Sequence, residues 1–337
     1  MKDKLIGLLI SIMLLTTILV AAKPVDKMGV NTTSKTVISS SSMADVPVWQ
    51  IGDVWTYQVD DISFNFSSET QSVFLSASIA ELPLEVTDTT GDFYTLSFET
   101  TMDGQGHIYA DQGDGPVNIE VTLTSLEISG TVRIEKSTLG IKDITISFDK
   151  QKLTFNIIDQ PYLPLPSWLR IISAKITSDV DVNCDTSIAL LSFPLNTGVY
   201  WNLTATNFSV DGQIQSFFFK VIYFLNNFAK LFGKGFLPLE VAALLPVIDI
   251  NEALTTFLGG NVFQIPAFAK AFFCPNTETI NIPAGTYEAY NITLMSGVGQ
   301  CYYAPTAGNV IKLTGNFQYI IPLLNSIDMV LLSTTYS

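Results

Sequence analysis

The residues able to carry chemistry are few. His107 is the one histidine among 337 residues, so any Ser-His or Cys-His nucleophile pair would have to be built on it. Its surroundings, MDGQGHIYADQGDG (102–115), have the turn residues of a hairpin end, where a single histidine is ordinarily solvated. Histidine-rich zinc sites are excluded by count, and no Cys-x-x-Cys spacing occurs. The acids of the same stretch, Asp103, Asp111 and Asp114, have the right oxygens for calcium, but they lack the twelve-residue loop pattern and its terminal Glu. A glycine-rich phosphate loop and a dinucleotide fingerprint are both missing. Paired carboxylates stay open, because any two of the 31 acids could meet in space. The expectation is a protein without catalytic residues, metal or cofactor.

Three cysteines, Cys184, Cys274 and Cys301, permit at most one intrachain disulfide. Cys274 with Cys301 is the expected pair, since both lie in one short run of predicted strands; three buried thiols are the alternative.

The chain start bears on compartment. Lys2 and Lys4 precede an apolar run from Leu5 to Ala22 that ends in small residues, Val20-Ala21-Ala22. This reads as a signal peptide over 1–22 or, at 18 apolar residues, as an uncleaved anchor. Residues 23–46 are rich in Ser and Thr without periodicity, a flexible linker or stalk. The expected location is extracytoplasmic: secreted, or anchored to the outer face of the cell membrane. Five Asn-x-Ser/Thr sequons, at Asn31, Asn65, Asn202, Asn207 and Asn291, are compatible with export. A formal charge of -14 leaves no basic footprint for nucleic acid. Yet only 14% of residues are charged against 47% hydrophobic. Either the interior is unusually large, or apolar surface is meant for a lipid, a membrane or a partner.

The elements that must position these residues are mostly strands. Ile119, Val121 and Leu123 alternate with Glu120, Thr122 and Thr124. The phase slips at Thr124-Ser125, where a β-bulge would return Leu126 and Ile128 to the same face. Turn signals stand at Thr90-Gly91-Asp92, Met102-Asp103-Gly104, Gly113-Asp114-Gly115 and Pro283-Ala284-Gly285. The exception is IQSFFFKVIYFLNNFAKLFGKG (214–235). On a helix, Phe217, Phe218, Val221, Phe224, Leu225 and Phe228 cover most of the circumference, while Lys220, Lys230 and Lys234 share a narrow stripe. Phe236 to Leu258, broken by Pro238 and Pro246, reads as further short helices, so an apolar helical insert is expected over 214–258.

VWQIGDVWTYQV (48–59) and FPLNTGVYWNLT (193–204) each place tryptophan three residues after glycine. With VTDTTGDFYTLSF (86–98) beside INIPAGTYEAYNI (280–292), the order of elements repeats and points to an internal duplication. The expected fold is mainly β, two curved antiparallel half-barrels in tandem over 47–190 and 191–337, the helical insert covering the second.

The opening strand GDVWTYQV, then IPAGTYEAYNI and YYAPTAGNVIKL (302–313), resembles strands of the lipoprotein-carrier (LolA/LolB-like) proteins and related exported domains. The resemblance covers about a fifth of the chain and includes neither an N-terminal lipidated cysteine nor docking residues. It implies an open antiparallel barrel whose apolar concave face is covered by helices and takes acyl chains. On that basis the expected partner is a lipid or hydrophobic small molecule held by Trp201, Phe217, Phe218, Val221, Phe224, Leu225 and Phe228. Lys220, Lys230 and Lys234 would then meet a membrane surface. Trp49, Trp55 and Tyr57 are expected to staple the first sheet. A structural cell-surface protein without ligand is the alternative.

Overall fold

The computed structural model describes residues 43–67, 71–111, 116–159, 170–216, 220, 247–252, 261–294, 297–317 and 324–336. The strands are β1 Val54–Ser67, β2 Gln71–Asp88, β3 Phe93–Asp111, β4 Pro116–Glu135, β5 Ile141–Asp159, β6 Ile171–Ile188, β7 Val199–Leu203 and β8 Thr206–Ser216. They continue with β9 Val247–Asp249, β10 Val262–Ile265, β11 Phe268–Ile282, β12 Gly285–Leu294, β13 Gly299–Ala304, β14 Asn309–Gly315 and β15 Leu324–Thr334.

All fifteen join one antiparallel sheet, in the order β10-β8-β6-β5-β4-β3-β2-β1-β15-β14-β13-β12-β11-β7, with β9 also on β8. This corrects the expectation of two sheets in tandem. Two separate halves would leave β1 and β15 as bare edges; instead they pair along most of their length, from Trp55 opposite Thr334 to Phe64 opposite Leu324. The end of the expected linker is also tied down, since Ala44 and Leu195 exchange backbone hydrogen bonds of 3.1 and 2.8 Å.

The sheet is open but rolled. Thr206 lies opposite Ile265, and Leu203 opposite Phe268. The β8·β10 and β7·β11 pairings therefore continue one another in one register, interrupted only at residues 204–205 and 266–267. Both ends of the strand order thus belong to the same bent ribbon, which brings them back to each other.

The long strands bend along a line of irregularities. Register shifts fall between Val59 and Ile62 on β1, between Met102 and Gly104 on β3, and between Phe148 and Gln151 on β5. Ser125 and Lys150 have positive φ on this line. Their amides, released from the ladder, find side chains: Ser125 N–H donates to Asp103 Oδ1 at 2.8 Å and Lys150 N–H to Thr177 Oγ1 at 3.0 Å. The expected β4 bulge is therefore present, with Leu126 and Ile128 buried beside Leu123. The turn expected at 102–104 is instead part of this bend, inside a continuous β3. Gly130 is needed where neighbouring strands crowd β4: a Cβ there would lie 2.0 Å from Thr145 O and 2.6 Å from the Phe98 ring.

The expected helical insert is redrawn at its ends. Ile214 to Ser216 finish β8 because the inward positions Val210, Ile214 and Ser216 keep period two to its last residue. Val247–Asp249 form β9 against Gln213–Gln215. Lys220 and Ile250–Glu252 are helical; the remainder of 214–258 lies outside the described residues, as do residues 1–42.

Buried side chains form two clusters. The main one draws on β1–β8 and β10–β15 and runs along the inward face. The second closes one end around Trp49, Trp55, Tyr57, Tyr94 and Leu96.

Candidate functional site

The inward face of the rolled sheet is the largest continuous feature. On β4 Ile119, Val121 and Leu123 are buried while Glu120, Thr122 and Thr124 are exposed; on β6 Ala174, Ile176, Val180 and Val182 are buried while Lys175, Asp179 and Asp181 are exposed. This is the reverse of a membrane-spanning barrel, whose outward positions are apolar. Among the described residues no helix is long and apolar enough to cross a membrane.

Of the expected ligand-binding residues, the structure describes Trp201. It is half-buried on β7, stacks on Phe272 with ring centroids 5.7 Å apart, and donates its indole N–H to Leu190 O at 3.3 Å. It therefore touches the main core, at the seam where the two ends of the sheet meet. Phe217, Phe218, Val221, Phe224, Leu225 and Phe228 lie outside the described residues. So do Lys230 and Lys234, whereas Lys220 is exposed. On the other face of the seam Tyr200 stacks on Phe273 at 4.1 Å, and Lys270 Nζ sits 5.5 Å from the Tyr200 ring.

The opposite end is stapled by different residues. Trp49 Nε1–H donates to Gly308 O at 2.8 Å, Trp55 Nε1–H to Ala307 O at 2.7 Å and Tyr57 O–H to Val310 O at 2.8 Å. These three were expected to staple the first sheet; they fasten β1 and the turn before it to the β13–β14 hairpin, more than 250 residues away in the chain. Burial pushes the Tyr57 hydroxyl far above its usual range, with the Cys301 sulfur a smaller contributor.

Cys274 and Cys301 are free, as is Cys184, and all three are buried. This overturns the expected disulfide. Cys274 on β11 and Cys301 on β13 have β12 between them, which sets their backbones about 10 Å apart, beyond the roughly 7 Å Cα separation a disulfide spans. Burial pushes the Cys184 and Cys274 thiols up to about 11 and that of Cys301 to about 12. They are core side chains, protonated at neutral pH.

The chemistry-bearing residues near the chain's middle do not converge. His107 lies within β3, four residues before its end at Asp111, where β3 and β4 pair last, and its Nε2 is 2.7 Å from Asn118 Oδ1. Asp103 is occupied by the Ser125 amide, and Asp114 lies outside the described residues. Among the described residues no three His, Cys, Asp or Glu side chains meet as a metal site. On the outward face an open groove of about 570 Å³ crosses β2 to β5, lined by Glu85, Glu99, Ser129 and Thr145 together with the apolar Pro83 and Phe98. It holds hydroxyls and carboxylates without a basic side chain, so it can hydrogen-bond a polar ligand but has no nucleophile–base pair.

One inward residue escapes the composition of the sequence entirely. Ser178 on β6 is buried between Phe148 and Ile214, its cross-strand partners. The signal was the register of ITSDVDVNC (176–184): a serine at a position whose neighbours two residues away are Ile176 and Val180.

No family model matches the chain, and neither a curated protein nor a solved structure matches it. The likeness of residues 48–59 and 280–317 to lipoprotein-carrier strands therefore rests on those residues alone.

Proposed function

We propose that this protein binds or carries a lipid or other hydrophobic ligand on the inward face of its rolled sheet, without chemistry and outside the cytoplasm. The observation that carries the reading is the polarity of the sheet. Strand after strand turns its apolar residues inward and its polar residues outward, in an open sheet rolled until its ends share one ribbon. An open roll has an apolar concavity that needs a cover, and β8 ends at Ser216, buried on that inward face, where the rest of the apolar segment 214–258 begins. Phe217, Phe218, Val221, Phe224, Leu225 and Phe228 supply the cover and Trp201 the edge against which it closes. Lys220, Lys230 and Lys234 face anionic head groups when the protein meets a membrane surface.

One observation favours the alternative, a structural surface protein with a solid interior: Ile108, Ile176, Ile265 and Phe272 are already fully covered without a ligand. Native mass spectrometry of the exported chain, followed by lipid extraction, separates the two. A lipid at fixed stoichiometry supports the carrier. A clean apo mass that stays unchanged on adding lipids supports the structural protein.

A further inference from the structure

Five polar residues are buried in the described structure: Ser63, Thr100, Ser178, Thr206 and Ser216. Four have partners. Ser216 Oγ donates to Lys175 O at 2.7 Å, Thr206 Oγ1 to Thr186 O at 2.9 Å and Thr100 Oγ1 to Glu81 O at 2.5 Å, and Ser63 Oγ shares a hydrogen with Ser326 Oγ. Ser178 is 1% exposed, and its Oγ has no partner among the described residues.

The orphan hydroxyl stands in an apolar field. Along β6 the inward positions on either side are Ile176 and Val180, and across the ladders stand Phe148 on β5 and Ile214 on β8. A hydroxyl that leaves water without gaining a partner is penalised, which is why buried polar groups are almost always bonded. The place is also informative. Ser178 lies beside the bend line, opposite Phe148 at the register shift of β5 and opposite Ile214, two residues before the end of β8.

We propose that Ser178 Oγ is the polar contact for the interior ligand, donating its hydrogen to a neutral oxygen of an amphipathic lipid: an alcohol, ether or ester. This rests on the carrier reading above and narrows it. A bare hydrocarbon would leave the hydroxyl unpaired. A free carboxylate would enter a field in which Phe148, Ile176, Val180 and Ile214 offer no cation, so its charge would go uncompensated.

The test uses the full exported chain and two probes, diphenylhexatriene as a pure hydrocarbon fluorophore and 1-hexadecanol as its competitor. Wild type binds both, and palmitate at neutral pH competes more weakly than the alcohol. Ser178→Ala, which deletes only the orphan hydroxyl, weakens hexadecanol by roughly tenfold and leaves diphenylhexatriene affinity unchanged. Ser178→Thr, which keeps a hydroxyl at this strand position, retains the alcohol. If Ser178→Ala binds hexadecanol as wild type does, or loses both probes alike, the assignment of Ser178 is overturned while the carrier reading stands. If wild type binds neither probe, the carrier reading itself fails and the assignment with it.

Discussion

Trp55 and Trp201 are built alike and placed differently. Each stands three residues after a glycine of positive φ, Gly52 at 93° and Gly198 at 77°, and each opens a strand. Trp55 is fully buried, touches Trp49 and Tyr336 at ring distances of 4.7 and 5.8 Å, and bonds a hairpin carbonyl. Trp201 is half-buried, has one ring partner and a longer bond. The strands differ in the same sense: β1 is paired on both sides, by β2 and β15, and β7 on one, by β11. Equal local grammar thus yields a locked cap at one end and a seam on an edge. What decides between them is the element that arrives from elsewhere in the chain.

The largest expected effect tests that difference directly. Trp55→Ala removes a fully buried indole and its hydrogen bond, and lowers unfolding free energy by about 3–5 kcal/mol. Trp201→Ala costs less, because part of the indole already stands in water and its hydrogen bond is longer. Urea midpoints of the two variants measure both. Equal losses would mean that the seam is locked as firmly as the cap.

Alkaline pH gives the next effect. The folded-state values of Cys184 and Cys274, about 11, and of Cys301, about 12, lie above the ordinary thiol value of 9.0. Below pH 9 both folded and unfolded thiols hold their protons, and stability is undiminished. Above it the unfolded chain releases protons that the folded chain retains, so stability falls as pH rises from 9 towards 11–12, at up to about 1.4 kcal/mol per pH unit for each thiol. Replacing Cys301 by Ala flattens the descent between pH 9 and 12; a descent unchanged by that substitution would place its cause elsewhere.

Much of the strand pattern was legible along the chain, because period two and its slips are local. The bulge at Ser125 follows from the phase change between Leu123 and Leu126, and the turns at Gly91 and at Pro283-Ala284 from their residues. Met102-Asp103-Gly104 misled for a physical reason. A turn and a bulge need the same residues, and only the carboxylate of Asp103 reaching Ser125 across the strand pair separates them. The union of β1 with β15 was not legible, since the two strands are some 270 residues apart and nothing in either one's alternation names its neighbour. For the same reason the expected disulfide failed: Cys274 and Cys301 are near in sequence, but a strand runs between them. Of the candidate site, Trp201 is found at the rim of the apolar face, and Ser178 becomes visible only once the phase of β6 is known.

Thiol labelling sharpens the comparison with a smaller signal. Cys274 pairs with Val199 on the one-sided strand β7, whereas Cys301 lies between β12 and β14, each paired with it. Opening of the seam frees Cys274 without unfolding the sheet, so in native protein a maleimide modifies Cys274 first and Cys301 at the rate of global unfolding. Trp201→Ala speeds the first reaction and leaves the second in proportion to its loss of stability. Labelling of all three thiols at one rate would remove the seam as a separate unit.

The smallest expected effect lies on the outward side of the same seam. Tyr200 is 51% exposed, yet its ring lies 4.1 Å from that of Phe273 at an angle of 17°, with Lys270 above it. An exposed stacked pair of this kind is worth about 0.5–1.5 kcal/mol, and the cation adds roughly 0.5 kcal/mol in water. A double-mutant cycle on Tyr200→Ser and Phe273→Ser should return a coupling of about 1 kcal/mol or less. Its distribution matters more than its size. If β7 is the seam strand, the loss accelerates hydrogen exchange at Tyr200 and Trp201 amides and leaves those of β1 unchanged. An equal acceleration on β1 would mean that seam and cap open together, and the contrast between Trp55 and Trp201 would then be one of burial alone.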